Sequence, residues 1–229
     1  MSERTLSVLD AVRSRCSIRA FRPDPVERSV LEQILAAAAW APSGSNIQPW
    51  KVHVLTGSSK QALTRKILAT LDDAEENARH SEVHAYYPTH WKAPYIDRRR
   101  ALGWGLYSLL GITRQDTSAM QAQHARNFEF FDAPVGLMFT LDSCMERGSW
   151  LDFGMFLQNV MLVAKAFGLD TCPQAAFNRY HRIVAEHLEL PADELLVCGM
   201  SLGYADPDKV ENSLARERAG LDSFVRFHS

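Results

Sequence analysis

The chain has 229 residues, room for one domain with a substantial core and too few for two comfortable ones. Hydrophobic residues make up 46% and charged residues 23%, the balance of an ordinary globular protein, and a net charge of -2 gives no reason to expect nucleic acid or an anionic membrane as a partner. No apolar run approaches the roughly 20 residues a membrane helix needs, and the opening Met1–Thr5 lacks the apolar stretch of a signal peptide.

Leu6, Val8, Leu9 and Val12 space like one face of a short helix that runs into the basic segment Arg13-Ser14-Arg15. Asp24-Pro25 is expected to open a second helix, with Val30, Leu31, Ile34 and Leu35 inside and an alanine run after them, stopped at Pro42. Ser43-Gly44-Ser45-Asn46 is turn chemistry. A strand is expected at 51–56, then a helix from Ser58 to about Arg79.

Residues 80–132 differ in character, mixing Tyr86, Tyr87, Trp91, Tyr95, Trp104, Tyr107 and Phe128 with Arg98-Arg99-Arg100. Helices are expected at about 95–112 and 116–127 and no strand, an insertion suited to a lid or substrate wall because rings give binding area at little entropic cost. An ordinary helical excursion with its rings on the core fits any single residue as well.

A strand returns at 134–141. Trp150 to Phe167 is a helix apolar nearly all round, buried in a core or in a subunit interface. Another strand is expected at 194–203. The tail 205–229 is charged until Leu221 to Phe227, where a short strand near 225 is expected. Helical runs between strands favour a layered α+β or α/β domain.

The four cysteines (Cys16, Cys144, Cys172, Cys198) are scattered and the eight histidines show no ligand spacing, so reduced thiols in a cytoplasmic protein, without a metal, are expected. Three segments concentrate polar groups. In Arg15-Cys16-Ser17-Ile18-Arg19-Ala20-Phe21, an extended stretch projects Arg15, Ser17 and Arg19 from one face, a good anion site. A solvated helix end followed by a loop is the plainer alternative, since most surface charges do nothing specific. Ala41 to Trp50 leaves backbone N–H groups and space for a flat ligand, with Asn46 and Gln48 as amide donors, or is a turn with Trp50 plugging the core. Gly168 to Phe177 ends the apolar helix and holds small residues at a rigid element, or simply connects. No Rossmann, P-loop or serine-hydrolase motif is present, which favours chemistry carried by a bound cofactor.

Together these segments resemble the nitroreductase family of FMN flavoproteins over essentially the whole chain. Arg15 to Phe21 looks like its Arg-x-Ser-x-Arg-x-Phe, and Ala41 to Trp50 like its Ala-Pro-Ser-Gly-x-Asn-x-Gln-Pro-Trp. Asp152 to Ala176 looks like its buried helix ending in Gly-Leu-Asp-x-x-Pro, and Gly203-Tyr204 with Arg216 and Arg218 like its C-terminal basic pair. The resemblance implies an α+β fold, a mostly antiparallel sheet flanked by helices, in an intertwined homodimer with FMN at the interface. It makes 1–229 a single FMN-binding domain, with 80–132 as a lid and 205–229 as an arm on the partner subunit.

Carried over, Arg15, Ser17, Arg216 and Arg218 would hold the FMN phosphate and ribityl chain, and Cys16 would lie against that chain. Arg19 would stabilise negative charge on the reduced flavin. Pro42, Ser43, Gly44 and Asn46 would come from the partner. Pro173, Gln174, Ala175 and Ala176 would border the flavin's N5 edge by their backbone; some family members carry Glu-Gly where this chain has Ala175-Ala176, so no side-chain role is carried over there. The resemblance implies ping-pong reduction of nitroaromatics by NADH or NADPH in two-electron steps, through nitroso to hydroxylamine or amine. Residues 87–134 resemble the nitrobenzoate-reducing subset, with Tyr87, Trp91, Tyr95, Trp104, Tyr107 and Phe128 as a substrate wall. Quinone or flavin reduction and reductive dehalogenation remain open on the same scaffold, as does a non-catalytic FMN-binding protein.

Overall fold

Four strands form one antiparallel sheet in the order β1-β2-β4-β3, with β1 Lys51–Thr56, β2 Val135–Asp142, β3 Asp170–Gln174 and β4 Glu194–Gly203. The computed structural model describes residues 6–229; the opening Met1–Thr5 considered above lies outside them. Seven of the eight residues of β2 are buried, which requires cover on both faces. On one face Val135, Leu137, Phe139 and Leu141 meet α2 (Arg28–Ala38) and α7 (Arg147–Ala166). On the other, Leu55, Met138 and Leu196 meet α3 (Gly57–Asp72), α8 (His181–Leu188), Phe130 and Phe177.

The remaining helices are α1 Val8–Ser14, α4 Ala74–Ala78, α5 Tyr95–Leu109 and α6 Thr117–Ala125. Among the described residues, no helix is long and apolar enough to cross a membrane.

Several expected boundaries move. The second helix starts at Arg28, because Glu27 is extended (ψ 137°) and Asp24 turns back to pair with Arg22 at 3.0 Å instead of capping a turn. The expected 58–79 helix breaks at Asp73, whose carboxylate accepts from the N–H groups of Glu75 and Glu76 and so starts α4. The expected connection after Gly168 is β3, and α8 was not foreseen. No strand forms near 225; the tail makes a 3-10 turn at Leu221–Ser223 and leaves Phe227 89% exposed. Helix α7 is buried on one face only. Phe153, Phe156, Val160 and Ala164 point into the core, while Leu151 remains 73% exposed.

The far ends of β1, β2 and β4 are tied by one carboxylate. Glu194, its side chain 4% exposed, meets Lys51 Nζ at 2.7 Å, His53 Nε2 at 2.7 Å and Thr140 Oγ1 at 2.5 Å. Burial pushes its pKa up, but the hydrogen bonds from Lys51, Thr140 and His53 outweigh that and hold it down at about 2. A carboxylate with a lowered folded pKa contributes stability above its ordinary value of 4.5 and loses it as pH falls towards about 2. Its contribution is on the order of 3 kcal/mol. Glu194→Gln should therefore lower the denaturation midpoint at neutral pH and flatten the acid limb in that window; an unaltered acid limb would refute the assignment.

Candidate active site

The first polar segment begins where α1 ends. Arg15 caps α1 and turns the chain extended (ψ 125°). Ser17 then bridges Thr171 in parallel, and Ile18 N–H donates to the Thr171 carbonyl at 3.1 Å. The segment thus lies along β3, anchored by the buried side chains of Ile18 and Phe21, while Arg15, Ser17 and Arg19 are half-buried.

The tail closes over this segment. Asn212 Oδ1 accepts from the N–H groups of Arg19 (2.8 Å) and Ala20 (3.2 Å), and its Nδ2 donates to the carbonyls of Ala20 (2.8 Å) and Asp206 (2.9 Å). Arg216 then donates to the carbonyls of Arg13 (2.9 Å) and Ser14 (3.1 Å) at the end of α1. Burial lowers the pKa of Arg15, and the charges of Arg216 and Arg218 lower it further. Three guanidiniums therefore converge, and among the described residues none pairs with a carboxylate. Such a cluster is stabilised by an anion of charge near two, and arginine forks match phosphate.

Beside it, Thr171 Oγ1 is buried without a hydrogen-bond partner. Cys172 faces the same segment from below; burial pushes its thiol up to about 11, so it stays neutral. Cys16 is half-buried next to it. Arg19 Nη1 donates to the Ser17 carbonyl at 3.2 Å. The cradle fits the phosphate end of FMN, in its unneutralised cations and its spare hydroxyls.

The third segment joins the first through β3. The Gln174 side chain is committed within the fold: its Nε2 donates to the Asn127 carbonyl (2.6 Å) and its Oε1 accepts from Ser201 Oγ (2.8 Å). Only its backbone is left for a ligand. Pro173 is exposed, and Ala175 and Ala176 are half-buried.

The second segment is held elsewhere in the protomer, on α7. Gly44 N–H donates to Asp152 Oδ2 at 3.0 Å, Ser43 Oγ accepts from Gln48 N–H at 3.0 Å, and Trp50 stacks on Phe156 at 4.8 Å. Ser45, Asn46 and Gln48 take left-handed φ of 51°, 58° and 52°. Three non-glycine residues in that region store strain, which accumulates where a loop is shaped for a ligand or partner. Pro42, Ser43, Gly44 and Asn46 are thus presented together but apart from Arg15, Ser17 and Arg19.

In the insertion, Tyr87, Trp91 and Tyr95 remain partly or well exposed, with Tyr87 and Trp91 5.5 Å apart and the Arg99 guanidinium over both. Trp104 and Tyr107 make a second pair at 5.7 Å. Phe128 is a correction: it is 1% exposed, packed edge-on against Phe177 and Tyr180, and belongs to the core. The insertion is fastened to the tail by Arg126, which bridges Glu211 (2.7 Å) and Asp132 (2.8 Å). Asn212, Asp152 and Arg126 escaped the sequence reading, because each acts through contacts remote in sequence.

A groove of about 810 Å³ lies away from these residues, between α2, α3 and the outer edge of β1, walled by Pro25, Leu31, Leu35, Val54 and Pro134.

The model of the Nitroreductase family matches residues 12–204. The 4-nitrobenzoate reductase of Pseudomonas putida is 41% identical over 216 residues, 94% of this chain and 93% of that protein. The chloronitrobenzene nitroreductase of Comamonas testosteroni is 38% identical over 218 residues, 95% of each. The crystal structure of the FMN and NADPH-dependent nitroreductase NfnB from sphigopyxis sp. strain HMH superposes with a TM-score of 0.94 at 36% identity, covering 98% of this chain and 100% of that one. The chain belongs to the nitroreductase family.

Proposed function

We propose that the protein is an FMN-dependent NAD(P)H oxidoreductase that reduces nitroaromatic compounds as an intertwined homodimer. The observation that carries this reading is the convergence of Arg15, Arg216 and Arg218 without a counter-charge, on a chain similar throughout its length to nitroaromatic reductases. Bound FMN supplies two-electron transfer between a nicotinamide and a nitro group. The three arginines hold its phosphate, Ser17 adds a hydroxyl, and Cys16 packs against the adjoining chain. Arg19 would supply a fixed positive charge to the site, able to stabilise negative charge on the reduced cofactor. The backbone of Pro173 to Ala176 would border the bound group, and the partner's copy of Pro42, Ser43, Gly44 and Asn46 would complete the site.

Exposed apolar surface supports the dimer. Val8, Leu9 and Val12 on α1, Leu151 and Met155 on α7, and Leu221, Phe224 and Phe227 in the tail are all open to solvent in one protomer. The groove beside the free edge of β1 has apolar walls suited to the partner's tail. The lid aromatics Tyr87, Trp91, Tyr95, Trp104 and Tyr107 provide the stacking surface for the acceptor.

The test is an anaerobic absorption titration of the purified protein. Yellow protein that bleaches with NADH or NADPH and recovers its colour with 4-nitrobenzoate is expected. Colourless protein that FMN does not reconstitute would refute the reading, and bleaching without recovery by any nitroaromatic would refute the acceptor class alone.

A further inference from the structure

We propose that Arg99 is the anion-recognising residue of the lid and selects aromatic carboxylates among nitroaromatic acceptors. The proposal rests on the function proposed above and extends it to substrate choice.

Neighbouring residues on a helix point about 100° apart. Of the run Arg98-Arg99-Arg100, Arg98 and Arg99 flank Tyr95 at i+3 and i+4, and among the described residues Arg99 is the one of the three whose guanidinium lies over aromatic rings. Its guanidinium carbon lies 5.5 Å from the Tyr87 ring centre and 5.1 Å from that of Trp91. Two aromatic faces hold the fork in place electrostatically but consume none of its five N–H donors. Some other surface cations are paired: Arg28 with Glu32, Lys66 with Glu186, Arg79 with Glu75 and Glu76. Among the described residues no carboxylate pairs with Arg99. Arg99 is itself exposed, and at Gly103, one turn on, an added Cβ would meet nothing within 4 Å.

The surroundings are flat and apolar. Tyr86, Tyr87 and Tyr95 are each about half exposed, and Tyr86 stands edge-on to Tyr87 at 4.7 Å. The lid is also docked where the cofactor phosphate is expected. Gly105 of α5 approaches Leu214 so closely that an added Cβ would sit 3.2 Å from it, and Leu214 lies two residues before Arg216. At 1.5 Å per residue, Arg99 is about 9 Å along α5 from that contact.

A ring carrying a carboxylate satisfies both features: its face stacks on tyrosine, and its two oxygens take the arginine fork side by side. A nucleotide phosphate is the competing anion. It carries more charge and calls for a second cation, whereas among the described residues Arg99 alone of the run has its guanidinium over the Tyr87 and Trp91 rings. A single fork between rings fits the carboxylate better.

The test compares kcat/KM of the FMN-loaded enzyme for 4-nitrobenzoate and for its neutral isostere 4-nitrobenzamide. The wild type is expected to favour the carboxylate roughly 10–100-fold, the value of a charge-assisted hydrogen-bonded pair. Arg99→Gln should bring that ratio to about one, and Arg99→Lys, which keeps the charge but loses the fork, should leave an intermediate ratio. The same variants are assayed with NADH and NADPH. A wild-type ratio near one overturns the proposal whether or not the variants fold. So does a ratio that Arg99→Gln leaves in place, or a change confined to the preference for NADPH over NADH. Reduction of 4-nitrobenzamide by the wild type reports separately on the nitroreductase reading itself.

Discussion

Replacing Arg15 with alanine is expected to weaken FMN binding by roughly 10–100-fold, the loss of one charge-assisted contact to a phosphate. The argument turns on what Arg15 does without the cofactor. Its charge is disfavoured by burial and then by Arg216 and Arg218, so the apo fold carries a cost that only an anion offsets. Arg15→Ala removes that cost. The apo protein should melt at the same temperature or slightly higher, while the stabilisation conferred by saturating FMN shrinks. Arg218→Ala should behave alike. Arg216→Ala should differ, because Arg216 also satisfies the carbonyls of Arg13 and Ser14 at the end of α1, and its loss should lower apo stability too. FMN titration and melting of the apo and loaded forms measure both quantities. Unchanged FMN affinity in Arg15→Ala and Arg218→Ala would remove the phosphate from this cluster.

A second large effect is expected at two core glycines. A Cβ at Gly136 of β2 would lie 2.4 Å from Phe130 Cε1, and one at Gly199 of β4 would lie 2.4 Å from Phe177 Cδ2. Both rings are fully buried and lie 4.8 Å apart on the same sheet face, so neither has space to retreat. Gly136→Ala or Gly199→Ala should each destabilise by about 3 kcal/mol or more, a melting shift of roughly 6–12 °C for a chain of this size. If the cause is the clash, a smaller partner should relieve it. Adding Phe177→Leu to Gly199→Ala should recover part of the loss, although Phe177→Leu alone is destabilising. Purely additive losses in the double variant would point to backbone strain instead. Phe177 also continues directly from Pro173 to Ala176, so this packing helps hold that backbone against the site.

The sequence displays local chemistry more plainly than the fold that surrounds it. Arg15, Ser17 and Arg19 alternate, and alternation in an extended segment dictates a shared face whatever lies beyond. The strands 51–56, 134–141 and 194–203 were legible as short apolar runs between turn signals, and β2 and β4, unlike β1, are buried along nearly their whole length. Strand β3 was not legible. Asp170-Thr171-Cys172-Pro173-Gln174 has a proline and no apolar run, and its pairing comes from β4 on one side and Ser17 on the other. Tyr87 and Phe128 are both insertion aromatics in sequence; one is open and the other buried against Phe177 and Tyr180. Tyr87 carries a hydroxyl that favours an open position and Phe128 does not, but the packing partners that bury Phe128 lie far along the chain.

By itself the sequence determined the local chemistry: which segments extend, that one helix ends before Pro42 (at Ala38) and another before Gly168 (at Ala166), and where cations alternate along the chain. These properties depend on neighbours within a few positions. The tertiary structure decided convergence. That Asn212 clamps Arg19 and Ala20 across more than 190 positions, that Arg216 and Arg218 return to Arg15, and that Asp152 pins Gly44 all follow from how the sheet brings distant segments together. Such contacts offset the entropy of closing long loops only once the core has formed, which is why no short window of sequence displays them.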